Sequence, residues 1–280
     1  MRNVLAIAWR EIRTYFASPL AYVIIGVFLA LSGFFFWVSL WRFSDYCLRL
    51  GNNPYYLQQL NVNDWVIRPM FGTMGIVFLL MMPMVTMRLL AEERRTGTAE
   101  LLFTCPVTSS EVVVGKYLGA VAMLVVMLGG TIAYPLLILA SDARPDMKPT
   151  LVGYLGVLLM GLAFLSVGLL ISSLTENQIV AAVGAFGVSL ILYVIHFLEG
   201  SLTVTVGRVA NRLTAGLWER VGLGLGGPSL GKVLARLSLL ENIEDFQKGV
   251  LDTQHLVFYL SFIFMGLFLT QRAVESQRWR

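Results

Sequence analysis

Six uncharged, continuously apolar runs, each long enough to cross the hydrocarbon layer of a bilayer, decide what this chain can fold into. They extend approximately over residues 20–41, 69–87, 117–141, 150–174, 177–198 and 253–271. A helix needs about 20 residues to cross roughly 30 Å of hydrocarbon. Only helices and closed barrels satisfy every backbone group in lipid, and barrel strands alternate over about 10 residues instead of staying apolar throughout. The 280 residues are 57% hydrophobic and 14% charged, with a mean hydropathy of +0.73, which excludes an ordinary soluble domain. The expected fold class is an all-α membrane protein, with six transmembrane helices forming a single domain over residues 1–280. Pro83 and Pro135 fall inside the second and third runs, where neighbouring helices must satisfy the carbonyls that proline frees.

Residues 2–18 are read as a retained segment, because the apolar run after them is too long for a signal h-region of about 7–15 residues. Val4, Leu5, Ala8, Ile12, Tyr15 and Phe16 fall on one helical face, as in an interfacial helix lying in the headgroup plane. A plain basic flank is the alternative. With an even number of spans both termini share a side. Placing them inside puts Arg2, Arg10, Arg13, Arg88, Arg94, Arg95, Lys116, Arg272, Arg278 and Arg280 in the cytoplasm, against Arg42, Arg49, Arg68, Arg144 and Lys148 outside. The stretch 199–252 adds six basic residues to the outer side, but it approaches the length at which the positive-inside rule fails. Cytoplasmic termini are therefore expected. Cys47 and Cys105 then lie on opposite sides of the membrane and cannot pair.

No Asp, Glu, Lys or Arg lies within the six runs as drawn, whereas proton-coupled carriers place such groups in their spans. Energy for uphill transport would have to enter from outside the bundle. Gly226-Gly227-Pro228-Ser229-Leu230-Gly231-Lys232 approaches a phosphate-loop spacing, but Val233 stands where magnesium needs a hydroxyl and no buried strand precedes it. His196 and His255 sit at span edges, where local hydrogen bonding is the simpler reading than haem ligation. No metal site, bound cofactor or catalytic residue is expected on this chain. Net charge +4 and pI 9.2 suit anionic lipid, and without a clustered basic stripe they do not point to nucleic acid.

Between the second and third runs lies a charge-rich segment. It reads Glu92-Glu93-Arg94-Arg95-Thr96-Gly97-Thr98-Ala99-Glu100-Leu101-Leu102, followed by Pro106-Val107 and by Glu111 with Gly115-Lys116. Acidic residues at a helix start and basic residues at its end suit the helix dipole, and Pro106 would end a helix carrying Glu100. The segment resembles the cytoplasmic coupling segment of ABC-2-type permeases, the membrane subunits of type-2 ABC exporters. Residues 172–182, and 237–252 leading into the last run, resemble the same family, especially its gliding-motility-type branch.

The resemblance implies a permease subunit forming half of a translocation pathway in the bacterial inner membrane. Its partners would be a cytoplasmic ABC ATPase that binds ATP and Mg and a second permease subunit, identical or homologous, meeting it along the first and fifth spans. It implies ATPase coupling through Glu92, Glu93, Arg94, Arg95, Gly97, Thr98, Glu100, Leu101 and Leu102. Thr175, Glu176 and Asn177 join the fourth and fifth runs and are read either as a helix cap or as a secondary cytoplasmic contact. Leu234, Leu237, Leu240 and Phe246 recur at helical spacing in an amphipathic extracytoplasmic segment, either a lid before the last span or a docking surface for an accessory protein. A membrane scaffold for an extracytoplasmic complex, without transport of its own, is the alternative function.

Overall fold

A computed structural model describes residues 2–50, 61–97, 107–140, 145–195 and 239–278. Helix α1 (Arg2–Ala17) ends at Ser18, and α2 (Pro19–Leu50) begins with a proline at its first position. Pro19 disfavours helical geometry at Ser18, whose hydroxyl accepts from the Leu20 N–H at 3.4 Å and caps the new helix. A π-helical turn at Asn63–Ile67 leads into α3 (Arg68–Thr86), and a turn at 87–90 leads into the short α4 (Ala91–Arg95). Then follow α5 (Ser109–Thr131), α6 (Ala133–Ala140), α7 (Met147–Leu174), α8 (Gln178–Ile195), α9 (Leu239–Gln247) and α10 (Thr253–Arg278). Among the described residues there is no strand.

Six helical stretches are long and apolar enough to span: Pro19–Arg49, Asn63–Arg95, Ser109–Ala140, Met147–Leu174, Gln178–Ile195 and Thr253–Ser276. Each contains most of one apolar run, and several continue well past it. The first extends beyond Trp41 through Arg42, Asp45 and Arg49, and the third begins before Lys116. Lys116 therefore lies within a spanning helix, one residue outside the apolar run, so the absence of charge describes the runs and not the helices.

Helix α7 is the centre of the bundle. In the apolar windows of the second and fourth spans 72% of residues are buried, against 22% in the first, fifth and sixth, which places α3 and α7 inside the ring. Small residues let the neighbours close on α7. A Cβ on Gly156 would stand 2.6 Å from the Phe246 Cβ, and one on Gly161 would stand 2.8 Å from a Leu124 methyl. Gly153 faces the Phe71 ring and Gly168 faces the Thr86 side chain, each without room for a methyl group. From the sixth span, Gly266 packs on Ser166.

Pro135 frees the Thr131 carbonyl, and the chain turns at Ile132 between α5 and α6. Tyr154 on α7 donates its hydroxyl to that carbonyl at 2.9 Å, so a neighbouring helix supplies the missing donor. Helix α9 lies along the opposite end of α7 from α4. Its Phe246 and Ile243 meet Gly156, while Gly249, at φ +81°, meets Pro149 about 10 Å away along the helix axis. The positive φ at Gly249 closes the end of α9, with the Val250 N–H bonded to the Asp245 carbonyl at 2.9 Å.

Replacing Gly168 by valine forces a branched side chain into Thr86 between the two most buried spans. We expect a loss of about 2 kcal/mol, typical of overpacking, read as a lower midpoint in thermal unfolding of the purified protein in detergent.

Candidate functional site

The end of α3 is where the spans hand over to the charge-rich segment. Its last carbonyls need partners that the helix cannot supply. Tyr15 of α1 donates to the Val85 carbonyl at 2.8 Å, the Leu89 N–H donates to the Thr86 carbonyl at 3.1 Å, and Ser172 of α7 donates to the Met87 carbonyl at 3.3 Å. The same Ser172 hydroxyl accepts from the N–H groups of Leu90 and Ala91 at 3.2 and 3.1 Å. One buried side chain thus closes the end of α3 and holds the start of α4.

Helix α4 carries Glu92 and Glu93 in its first turn and Arg94 and Arg95 in its last, matching the dipole. Glu93 turns inward. Its Oε1 stands 2.9 Å from Lys116 Nζ and 2.8 Å from an Arg10 guanidinium nitrogen. Glu11 Oε1 stands 2.9 Å from the same Lys116 amine and 3.2 Å from Arg10. Lys116 is 1% exposed, so its amine sits in a dry setting where both carboxylates are needed to offset desolvation. Among the described residues, two cations and two carboxylates from α1, α4 and α5 meet in the cluster. Burial pulls the Arg10 pKa down, but hydrogen bonding and attraction from Glu11 and Glu93 outweigh it and leave it raised.

Helix α1 reaches this position because α5 has no side chain in its way. A Cβ on Gly115 would stand 2.8 Å from Ile7, and one on Gly119 would stand 2.6 Å from the Glu11 Cβ, so the two glycines on either side of Lys116 form the seat of α1. The first turn of α5 is a capping box: the Glu111 N–H donates to Thr108 Oγ1 at 3.3 Å, and the Thr108 N–H donates to Glu111 Oε2 at 3.1 Å. Asn3 of α1 donates to both Glu111 oxygens at 3.4 Å.

Of the residues assigned to coupling from sequence, Arg95 and Gly97 are exposed with Thr96 between them, Glu92 and Arg94 are half-buried, and Glu93 belongs to the cluster. Thr98, Glu100, Leu101 and Leu102 lie outside the described residues, as do Leu234 and Leu237. In the link from α7 to α8, Asn177 accepts from the Ile179 N–H at 2.9 Å, which makes it the cap of α8, and Thr175 Oγ1 accepts from the Asn177 N–H at 3.2 Å. Glu176 is exposed and within electrostatic reach of Arg94. The link and α4 thus share one surface. At the other end of the bundle Phe246 is buried, and Leu240 belongs to α9. Asp245 accepts from Lys248 at 3.3 Å and pairs with His255 at 3.0 Å, and these contacts outweigh burial and hold its carboxyl below the usual range.

Sequence reasoning gave Arg10, Glu11, Tyr15 and Ser172 no role at this junction. The four-residue spacing of Gly115 and Gly119 permits close helix contact but does not say which helix they meet.

Replacing Ser172 by alanine removes both acceptor contacts to α4 and the bond to Met87. We expect about 1 kcal/mol of local stability to be lost, seen as faster hydrogen exchange at the amides of Leu90 and Ala91. Glu111→Ala removes the capping-box partner of Thr108 and the acceptor of Asn3, and should loosen α1, seen as faster proteolysis of the N-terminal helix.

No match is found among curated proteins. The sequence matches the family described as ABC-2 family transporter protein over residues 51–204, more than half of its length. The match does not single out the gliding-motility-type branch. It takes in α3 to α8, so most of the bundle core and much of the junction beneath it fall within the matched region. The chain belongs to the ABC-2 transporter family, as a multi-pass membrane permease subunit of the kind that works with an ABC ATPase.

Proposed function

We propose that this chain forms half of the pathway of a type-2 ABC exporter, and that α4 with the residues after it docks on a separate cytoplasmic ATPase. The observation that carries this reading is the anchoring of α4. A five-residue helix has no independent stability, yet here it is held by Ser172 from α7 and by Lys116 from α5 while Arg95 and Gly97 face outward. A partner pressing on that outer face would move three spans together. Closure of the ATPase pair on ATP would supply the displacement, with ATP and Mg bound entirely on the partner.

Both termini lie in the cytoplasm on this reading, and the membrane is the bacterial inner membrane. The basic residues at α1, at α4 and after the last span support that orientation. A second permease subunit completes the pathway. The first and fifth spans, among the least buried in one subunit, offer the area for it.

Two experiments check the reading. In a background with Cys47 and Cys105 replaced by serine, a thiol introduced at Thr96 should react with an impermeant maleimide only after cells are opened. Labelling of intact cells would place α4 outside and remove the coupling role. Reversal of charge at Arg95 should weaken ATPase co-purification about tenfold, as expected for about 1.4 kcal/mol of interface energy, while leaving the permease folded.

A further inference from the structure

We infer that Lys116 is a positioning residue for coupling: it fastens α4 to α1, so that motion entering at α4 reaches the N-terminal helix and the third span at once. The inference rests on the coupling reading above and adds a path to it. A lysine amine inside a helix bundle is costly unless it is paired, and such groups in spanning helices are seldom there for stability alone. This one has two carboxylates at 2.9 Å, from helices that are not neighbours in sequence.

The geometry of the cluster makes Lys116 its centre. Glu11 is 12% and Glu93 17% exposed, whereas Arg10, the second cation, is 54% exposed and bridges the two carboxylates from the solvent side. Without the buried amine, Glu11 and Glu93 would face each other with one hydrated guanidinium between them. Opposition of like charges then favours separation of α1 from α4. Ser172 would still hold the start of α4 to α7, and Arg95 and Gly97 would still face outward. Docking and transmission are therefore separable: the outer face of α4 recruits the partner, and the inner face passes the displacement on through Lys116. The Gly115 and Gly119 seat prepares the receiving side, since α1 lies close enough on α5 for Glu11 to reach the amine.

The test uses the permease with its ATPase in lipid nanodiscs and needs no knowledge of cargo. A reporter thiol is introduced at Leu251, which is exposed beyond α9, with Cys47 and Cys105 replaced by serine. Its maleimide reaction rate is compared with and without ATP and vanadate. In the otherwise native complex the rate should change about threefold or more. In complexes of Lys116→Met or Glu11→Gln that retain the ATPase, the ATP-dependent change should disappear. Lys116→Arg keeps a cation between Glu11 and Glu93 and should retain part of the response, which a purely steric role would not require. A full response in Lys116→Met or Glu11→Gln overturns the inference and leaves the docking role of α4 intact. Should Lys116→Met fail to accumulate, the isosteric Glu11→Gln decides alone. Failure of the native chain to hold an ATPase removes the coupling reading and this inference with it.

Discussion

A carbonyl oxygen left without a donor inside a bilayer costs several kcal/mol, since no water reaches it. Much of the bundle can be understood as an answer to that cost. Proline at 135 is tolerated because Tyr154 reaches across from α7 to the Thr131 carbonyl. Tyr117 and Tyr134 also donate between helices, to the Leu162 and Leu29 carbonyls at 2.9 Å, but within unbroken helices where they add to the helical bond. Where α3 ends, Tyr15 and Ser172 take over from the helix itself. At Thr131 and at the end of α3 the donors come from other helices, so there a tertiary contact is also the partner of the backbone.

Charge is handled by the same economy at the cytoplasmic-facing junction proposed here. The apolar runs carry none, and the junction gathers Arg10, Glu11, Glu93 and Lys116 into a balanced set at the start of the third span. A buried ion cluster adds little net stability when compared with an apolar replacement, because desolvation offsets attraction. Its value lies in specificity. The placement of α1 and α4 on α5 satisfies the Lys116 amine, so the cluster favours a geometry that hydrophobic contact alone would leave loose.

The spans were legible in the sequence because hydrocarbon thickness imposes a length that composition reveals directly. The ends were less so. Helices run on through Arg42, Asp45 and Arg49 after the first apolar stretch, and start before Lys116 at the third, because helical hydrogen bonding does not stop where hydrophobicity does. The α4 dipole pattern and the Asn177 cap are local and could be anticipated from neighbours in the chain. Contacts between distant residues could not. The apolar face of Val4, Leu5, Ala8, Ile12, Tyr15 and Phe16 can be read along the chain, but that Ile7 and Glu11 seat α1 on α5 cannot. Glu93 looked like a surface residue because the amine that buries it lies 23 positions further on, in another helix.

Stiffness at α4 follows from its size. Five residues form barely more than one turn, and nucleation costs leave such a turn unfolded in isolation. Its shape therefore depends on what holds it: Ser172 at its first amides, Lys116 and Arg10 at Glu93, and Arg88 at 3.8 Å from Glu92 on the preceding turn. A flexible loop in the same place would absorb a push by changing its own dihedrals. A turn whose backbone and side chains are bonded to α7, α5 and α1 has less such freedom, and on the coupling proposal a displacement applied to it would pass to those helices. The features that make α4 a helix are thus the ones that would make it a transmitter of force.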